Sequence, residues 1–257
     1  MRIVIKIGTS TLAYPTGHLN IRRVEELCKI ISDIKNAGNQ VIVVSSGAIA
    51  MGVGKLGLRE RPKDIPSKQA AAAVGQCELM YIYDQLFGAF NHTVAQLLIT
   101  GEDVENQVRH TNFSNTLARL LELDAIPIIN ENDTVATKEI VIGDNDTLAA
   151  IVAQSVKADK LVLLSDIDGL YTADPHKDPN AKLITVAHCI DDSILALAGG
   201  SDSNLGTGGM VTKLEAAKIC LKCGCDMIIA NGNNPANLYA IMDGKPVGTT
   251  FTEKNYA

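Results

Sequence analysis

Short apolar segments alternate with amphipathic segments along almost the whole chain, and this alternation restricts the fold more than any other feature. Segments 1–7, 41–44 and 160–164 are apolar at nearly every position, as expected of strands buried on both faces of a parallel sheet. Segment 21–37 carries apolar residues at helical spacing, with Asn20 as its predicted N-cap. The pattern predicts right-handed βα units that form a largely parallel sheet between helical layers.

Composition and charge disfavour several classes of protein. The 257 residues are 46% hydrophobic and 20% charged, which suits one large α/β domain with an ample core. A net charge of −6 with scattered lysines and arginines argues against a nucleic-acid partner. No apolar stretch approaches the ~20 residues of a membrane span, and the first residues carry no secretory signal. We therefore expect a cytoplasmic protein with no membrane partner.

Six cysteines are expected to be reduced thiols in such a protein. Cys220, Cys223 and Cys225 lie close together in the sequence and raise the alternative of a zinc site. A second paired Cys-x-x-Cys is missing from the sequence, so we expect small buried thiols and no protein-bound metal.

Two clusters of acids and amides follow apolar segments within 128–149. Their carboxylates and amides are Glu131, Asp133, Asp144, Asp146, Asn130, Asn132 and Asn145. Segment 135–142 between the clusters has the length of a small hairpin, which would bring Asp133 close to Asn145. Such a cluster repels itself unless a metal, a cationic ligand or a lysine joins it. The alternative is a pair of solvated turns with Asx caps.

Small and polar residues also follow other predicted strands, at the edge where open α/β sheets bind ligands. Gly8 and Gly47 would present backbone N–H groups to an anion there, and Ser165 and Asp166 follow a third strand. Lys6 interrupts an apolar strand, where an unpaired ammonium group is costly, so we expect it to point toward an anion. A lysine on a solvated edge strand is the alternative.

A glycine-rich segment at 206–213 leads directly into a predicted helix. Lys213 falls in the first turns of that helix, where a cation opposes the helix dipole. A bound phosphate would remove this conflict, and a merely flexible linker is the alternative.

Two lysines, glycine-rich turns and an acidic cluster fit phosphoryl transfer best. Its transition state spreads negative charge over the moving group, so catalysis rests on positioning and on cationic and N–H stabilisation, with Mg²⁺ on the phosphates. The five histidines fall near loops or termini and pair with no plausible nucleophile. A carboxylate acceptor would need no histidine base, because it is already ionised at pH 7.

Seven segments resemble the glutamate 5-kinase family of the amino acid kinase superfamily, and the resemblance covers essentially the whole chain. They are 6–10, 45–50, 67–76, 130–133, 143–146, 169–175 and 206–213. The resemblance implies one amino acid kinase domain over 1–257, a three-layer αβα sandwich with a mainly parallel eight-stranded sheet. It places the amino-acid substrate in about 1–158 and the nucleotide in about 159–257. The C-terminal PUA domain that many members carry is expected to be absent.

The resemblance also implies an activity and its partners. The family phosphorylates the γ-carboxylate of L-glutamate with ATP, giving L-glutamyl 5-phosphate in the first step of proline biosynthesis. ATP and the Mg²⁺ that it carries are the expected cofactors. Feedback inhibition by L-proline and a homo-oligomer, dimer or tetramer, are further expectations.

Roles for single residues follow from the same resemblance. Lys6 and Lys213 would bind the transferring phosphoryl group, Asp146 would hold both lysines, and Gly8 and Gly47 would offer N–H groups. The glutamate site would contain Ser46, Asp133, Asn145 and Asp144. The nucleotide site would contain Lys6, Ser165, Asp166, Thr207, Gly208, Gly209, Met210, Val211, Thr212 and Lys213.

Two other functions remain alternatives. One is a kinase of the same fold that acts on another acid or on carbamate. The other is an amino-acid sensor without turnover, which the combination of Lys6, Asp146 and Lys213 argues against because a sensor has no use for a complete phosphoryl clamp.

Overall fold

The computed structural model describes residues 1–136, 145–175, 177–198 and 209–254. The strands in these residues are β1 (Arg2–Ile7), β2 (Gln40–Ser45), β3 (Val94–Ile99), β4 (Ile126–Glu131), β5 (Lys160–Ser165), β6 (Val186–Ala187), β7 (Asp226–Asn231) and β8 (Thr249–Phe251). The helices are α1 (Thr9–Leu12), α2 (Ile21–Asn36), α3 (Ala48–Lys55), α4 (Ile65–Gly88), α5 (Gly101–Glu105), α6 (Gln107–Glu122), α7 (Asn145–Ser155), α8 (Asp192–Ala198), α9 (Met210–Lys222) and α10 (Asn237–Met242).

The strands form one eight-stranded sheet in the order β3-β4-β2-β1-β5-β7-β8-β6. Neighbouring strands are parallel except β7 and β8, which are antiparallel. This confirms the predicted mainly parallel sheet. β1 lies near the centre, with Lys6 opposite Val44 of β2 and Leu163 of β5. The lysine is therefore on an inner strand, and the alternative of a solvated edge strand is wrong.

Apolar side chains fill the space on both faces of the sheet. On β1, Ile3, Ile5 and Ile7 belong to the core that α2, α3, α4 and α10 cover, whereas Val4 belongs to the core under α6, α7 and α9. Side chains alternate between the two faces of a strand. Lys6 therefore lies on the face of Val4 and reaches toward α7 and α9.

Helix boundaries follow capping residues. The side chain of Asn20 accepts a hydrogen bond from the N–H of Arg23, which confirms the predicted N-cap of α2. Thr100 and Asp103 form a capping box that starts α5, a helix the sequence analysis did not predict. β6 was missed as well, because a strand of two residues displays no periodicity.

Glycines let α3 and α4 pack with their backbones in contact. A Cβ added to Gly52 of α3 would lie 1.8 Å from the carbonyl oxygen of Ala71, and one added to Gly75 of α4 would lie 1.8 Å from that of Ala48. Either side chain would force the helices apart. The crossing therefore fixes the start of α3, which follows Gly47.

The six cysteines form no disulfide in the part of the chain that the structure describes. Cys220 and Cys225 are buried as predicted, but Cys223 is exposed, because it is the C-cap residue of α9 at the surface. The described residues contain no group of three or more His, Cys, Asp or Glu side chains that could hold a metal ion. None of the described helices combines the length and hydropathy needed to cross a membrane.

Candidate active site

Asp146 pairs with two lysines, one on a strand of the sheet and one on a helix. The Nζ atom of Lys6 on β1 lies 2.6 Å from its Oδ1, and Nζ of Lys213 on α9 lies 3.0 Å from its Oδ2. Asp146 stands in the first turn of α7 and is completely buried. The predicted convergence of Lys6, Asp146 and Lys213, here called the lysine clamp, is present in the structure.

The lysine clamp carries a net positive charge in a buried position. Burial alone would raise the pKa of the Asp146 carboxyl group, but the charges and hydrogen bonds of Lys6 and Lys213 outweigh burial and hold the pKa below its usual range. Asp146 is therefore ionised at neutral pH. Two ammonium groups face one carboxylate, and the remaining unit of positive charge favours binding of an anion.

The start of α9 adds a hydroxyl group to the lysine clamp. Oγ1 of Thr212 lies 2.8 Å from the carbonyl oxygen of Gly209 and 3.3 Å from Oδ2 of Asp146, and it can donate to either. Gly209 is the N-cap of α9, and Met210 and Val211 are its first residues. Thr207 and Gly208, which were also predicted to bind the nucleotide, lie outside the described residues.

The two predicted N–H donors, Gly8 and Gly47, stand at the carboxyl ends of β1 and β2. A Cβ added to Gly8 would lie 3.9 Å from Nζ of Lys6, so this glycine borders the clamp. Its N–H donates to the carbonyl oxygen of Leu164 at 3.2 Å, and its donation to a phosphate stays a prediction. Gly47 has a φ of +94°, which favours glycine, and it is the N-cap of α3.

Asn145, the neighbour of Asp146, is the centre of a second cluster that contains no charged side chain. Its Nδ2 lies 3.1 Å from the carbonyl oxygen of Ser45, 3.0 Å from Oγ of Ser46 and 2.9 Å from Oδ1 of Asn130. Nδ2 of Asn130 donates in turn to Oε1 of Gln76 at 2.8 Å. Gln76, Asn130 and Asn145 are here called the amide relay.

One atom of the amide relay is buried and has no hydrogen-bond partner among the described residues. Oδ1 of Asn145 accepts no hydrogen bond within the described residues, although Asn145 is only 7% exposed. An unsatisfied buried acceptor is costly and uncommon. It fits the N–H donor of a ligand, such as the ammonium group of an amino acid.

The remaining predicted residues lie at the carboxyl ends of β4 and β5, which β2 and β1 separate in the sheet. Asp133 is in the turn after β4, and Ser165 ends β5, where its hydroxyl group donates to Asp166 at 3.1 Å. Asp144 and most of the predicted hairpin at 135–142 lie outside the described residues. Their approach to Asn145 stays a prediction.

Comparisons with known proteins identify the family. The model of the amino acid kinase family matches residues 1–231. A glutamate 5-kinase from Clostridium perfringens is 51% identical over 98% of this chain and 96% of its own length. A glutamate 5-kinase from Listeria innocua is 50% identical over 98% of this chain and 93% of its own. The chain belongs to the glutamate 5-kinase family.

Solved structures support the fold of this glutamate 5-kinase family member. Carbamate kinase from Giardia lamblia bound to AMP-PNP has a TM-score of 0.67 and 18% identity over 98% of both chains. An isopentenyl phosphate kinase of T. acidophilum, in a product complex, has a TM-score of 0.66 and 20% identity over 98% of this chain and 100% of its own. Similarity at this level concerns the fold alone, and the roles of single residues stay predictions.

Asn130 and Asn145 belong to the two clusters that were predicted to converge, and the hydrogen bond between their side chains confirms this for the pair. Gln76 was placed within a segment that resembles the family but was given no role in the site. A polar residue on the helical spacing of the apolar face of α4 is the signal that could have found Gln76.

Proposed function

We propose that the protein transfers the γ-phosphoryl group of ATP to the γ-carboxylate of L-glutamate, giving L-glutamyl 5-phosphate for proline biosynthesis. The observation that carries the proposal is the position of Asn145 and Asp146. Asn145 belongs to the neutral amide relay and carries its unsatisfied acceptor. Asp146 belongs to the positively charged lysine clamp. One turn of helix thus offers partners for both ends of an amino acid whose side-chain carboxylate is phosphorylated. Relatives named glutamate 5-kinase match over nearly the whole chain.

The lysine clamp would act on the phosphoryl group in transfer. Lys6 and Lys213 would neutralise the charge that spreads over its oxygens in the transition state, while Asp146 keeps both ammonium groups in place. Gly8 and Gly47 would offer N–H groups to the phosphates or to the reacting carboxylate. The acceptor carboxylate is ionised at neutral pH, so the reaction needs no general base.

Asn145 would orient the amino acid. Its unsatisfied Oδ1 is suited to accept a hydrogen bond from the substrate ammonium group, and Ser46 would supply a hydroxyl group beside it. Asp133 and Asp144 are the proposed anionic partners of the same ammonium group. Together they would aim the γ-carboxylate at the lysine clamp.

ATP would bind between the end of β5 and the start of α9. Ser165 and Asp166 are the proposed contacts on one side, and Lys213 with the segment 207–212 on the other. Within the described part of the clamp, the carboxylate of Asp146 is the group suited to bind a metal ion, and both lysine ammonium groups already pair with it. This arrangement does not fit a metal held by the protein. We propose that Mg²⁺ is carried by the phosphates of ATP.

The proposal is tested by measuring ADP release with MgATP and a panel of acceptors: L-glutamate, L-aspartate, N-acetyl-L-glutamate, carbamate and UMP. Hydroxylamine is added to trap an acyl phosphate, and Asp146→Asn purified in parallel controls for contaminating kinases. Glutamate-dependent ADP release with a matching amount of hydroxamate is expected. Turnover with another acceptor alone would contradict L-glutamate as the substrate. Binding of L-glutamate without turnover would favour an amino-acid sensor.

Inhibition by L-proline and assembly into a homo-oligomer belong to the same proposal. Adding L-proline to the glutamate reaction checks the first, and light scattering of the purified protein checks the second.

A further inference from the structure

The amide relay is fixed in direction by a backbone group at the end of β4. Oδ1 of Asn130 accepts a hydrogen bond from the backbone N–H of Glu131 at 2.9 Å. A backbone N–H can only donate, so the oxygen of the Asn130 amide must face it. The nitrogen then faces Gln76, whose Oε1 accepts at 2.8 Å.

A second backbone group, at the end of β2, fixes the Asn145 amide in the same way. The carbonyl oxygen of Ser45 lies 3.1 Å from Nδ2 of Asn145 and can only accept. Oδ1 of Asn130 lies 2.9 Å from the same nitrogen and is also an acceptor. Reversing the Asn145 amide would set its oxygen against both acceptors. The orientation that leaves Oδ1 of Asn145 open for a ligand is therefore the one that the fold requires.

Gln76 completes the relay from the opposite helical layer. It is 9% exposed on the inner face of α4, and the Asn130 side chain that it contacts is 2% exposed. Without the Gln76 oxygen, Nδ2 of Asn130 would be a buried donor with no acceptor. The Asn130 side chain would then gain by rotating away, and Asn145 would lose one of the two acceptors that hold its orientation.

Tyr83, about two turns further along α4, contacts the other residue that holds the Asn145 amide. Its hydroxyl group lies 2.9 Å from Oγ of Ser45, and the backbone carbonyl of Ser45 is the other acceptor for Asn145. Gln76 and Tyr83 are seven residues apart, about two helical turns, and so lie on one face of α4. One helix face thus contacts Asn130 and Ser45, the two residues that supply these acceptors.

We propose that Gln76 is a positioning residue that sets the affinity for the amino group of the acceptor, acting through Asn130 and Asn145. The inference rests on the proposed function, in which that acceptor is L-glutamate. Gln76 does not touch the substrate. It holds the amide whose free oxygen does, so its loss weakens recognition of the amino group and leaves the phosphoryl end intact.

Gln76→Met is the decisive variant, because it keeps the length of the side chain and removes the acceptor. The KM for L-glutamate is expected to rise about tenfold, the cost of one unsatisfied buried donor, while kcat and the KM for ATP change less than about twofold. Gln76→Glu, which retains an acceptor oxygen, should restore the glutamate KM to within about threefold. Gln85→Met on the exposed side of α4 is the matched control.

Glutarate separates recognition of the amino group from a general disturbance of the site. It lacks the amino group, so its inhibition constant against L-glutamate should be nearly the same in wild type and Gln76→Met. In an Asn145→Ala background, Gln76→Met should change the glutamate KM less than about twofold, because the residue it acts through is gone. Equal losses for glutamate and glutarate, or additive effects, would overturn the inference.

The outcomes also separate this inference from the proposed function. A wild type that turns over L-glutamate, with an unchanged KM in Gln76→Met, overturns the role of Gln76 alone. A wild type that neither turns over nor binds L-glutamate overturns both. If Gln76→Met does not fold, Gln76→Asn carries the same expectation, since its shorter side chain withdraws the acceptor from Asn130.

Discussion

The lysine clamp and the amide relay meet at adjacent residues, Asp146 and Asn145, yet different interactions hold each of them together. Neighbouring residues of a helix point in different directions, so Asp146 reaches β1 and α9 while Asn145 reaches β2 and β4. The clamp depends on charge, which acts over distance and tolerates small rotations. The relay depends on hydrogen bonds, whose donors and acceptors must be correctly ordered.

The difference separates two tasks. Charge at the clamp suits a group whose negative charge is spread over several oxygens and changes during the reaction. The relay is neutral and directional, which suits recognition of one N–H donor in a fixed place. Changes at the clamp should therefore alter kcat, and changes in the relay should alter the KM for the amino acid.

Removing a clamp lysine should have the largest effect. Lys213→Ala takes away a cation from the transition state, so kcat is expected to fall ~10²-fold or more. Steady-state kinetics with saturating L-glutamate and MgATP measure the loss. Lys218→Ala, a lysine on the same helix that pairs with Glu215 at the surface, should retain activity. Turnover of Lys213→Ala within a few-fold of wild type would contradict the assignment.

Truncating the amide at the relay should have a smaller effect of a different kind. Asn145→Ala removes the oxygen proposed for the substrate ammonium group, so the KM for L-glutamate should rise about tenfold or more. The KM for ATP should change little. The opposite pattern, a raised KM for ATP alone, would place Asn145 in the nucleotide site.

The smallest difference is expected in the pH dependence of stability. The pKa of Asp146 is lowered by folding, so its contribution is fully present above the ordinary aspartate pKa of about 3.9 and is lost as pH falls through the lowered value. The unfolding free energy of wild type minus that of Asp146→Asn, from urea titrations, should thus be constant from pH 8 to about 4 and decline below.

The relay provides the comparison for that measurement. Asn130→Ala removes no titratable group, so its difference from wild type should show no such decline at acid pH. A rise in this wild-type-minus-Asp146→Asn difference as pH falls from about 6 to 5 would mean that the pKa of Asp146 is raised rather than lowered, because the folded protein would then take up a proton before the unfolded chain does.

Much of the clamp could be predicted from the sequence because its members break a local pattern. Lys6 is a charge within an apolar strand, and Lys213 is a cation at the start of a helix. Each conflict points to an anion nearby. The sheet could be predicted for a similar reason, since strands buried on both faces are continuously apolar.

The pairing of Gln76 with Asn130 could not be predicted in this way. Gln76 is one polar residue in a long helix, and Asn130, its partner, is 54 residues away. Nothing local marks their pairing, which arises only when α4 packs across the strand ends. The close packing of α3 on α4 at Gly52 was missed likewise.

Asn145 and Asp146 share one peptide unit, and this has a consequence for the length of the acceptor. The atom proposed to face the amino group and the carboxylate of the clamp proposed to bind the phosphoryl group belong to the same turn of α7, so their separation changes little with the molecule between them. In the proposed reaction this turn therefore sets the length of the acceptor. An acceptor one methylene shorter than L-glutamate, such as L-aspartate, can reach Asn145 or the lysine clamp but not both.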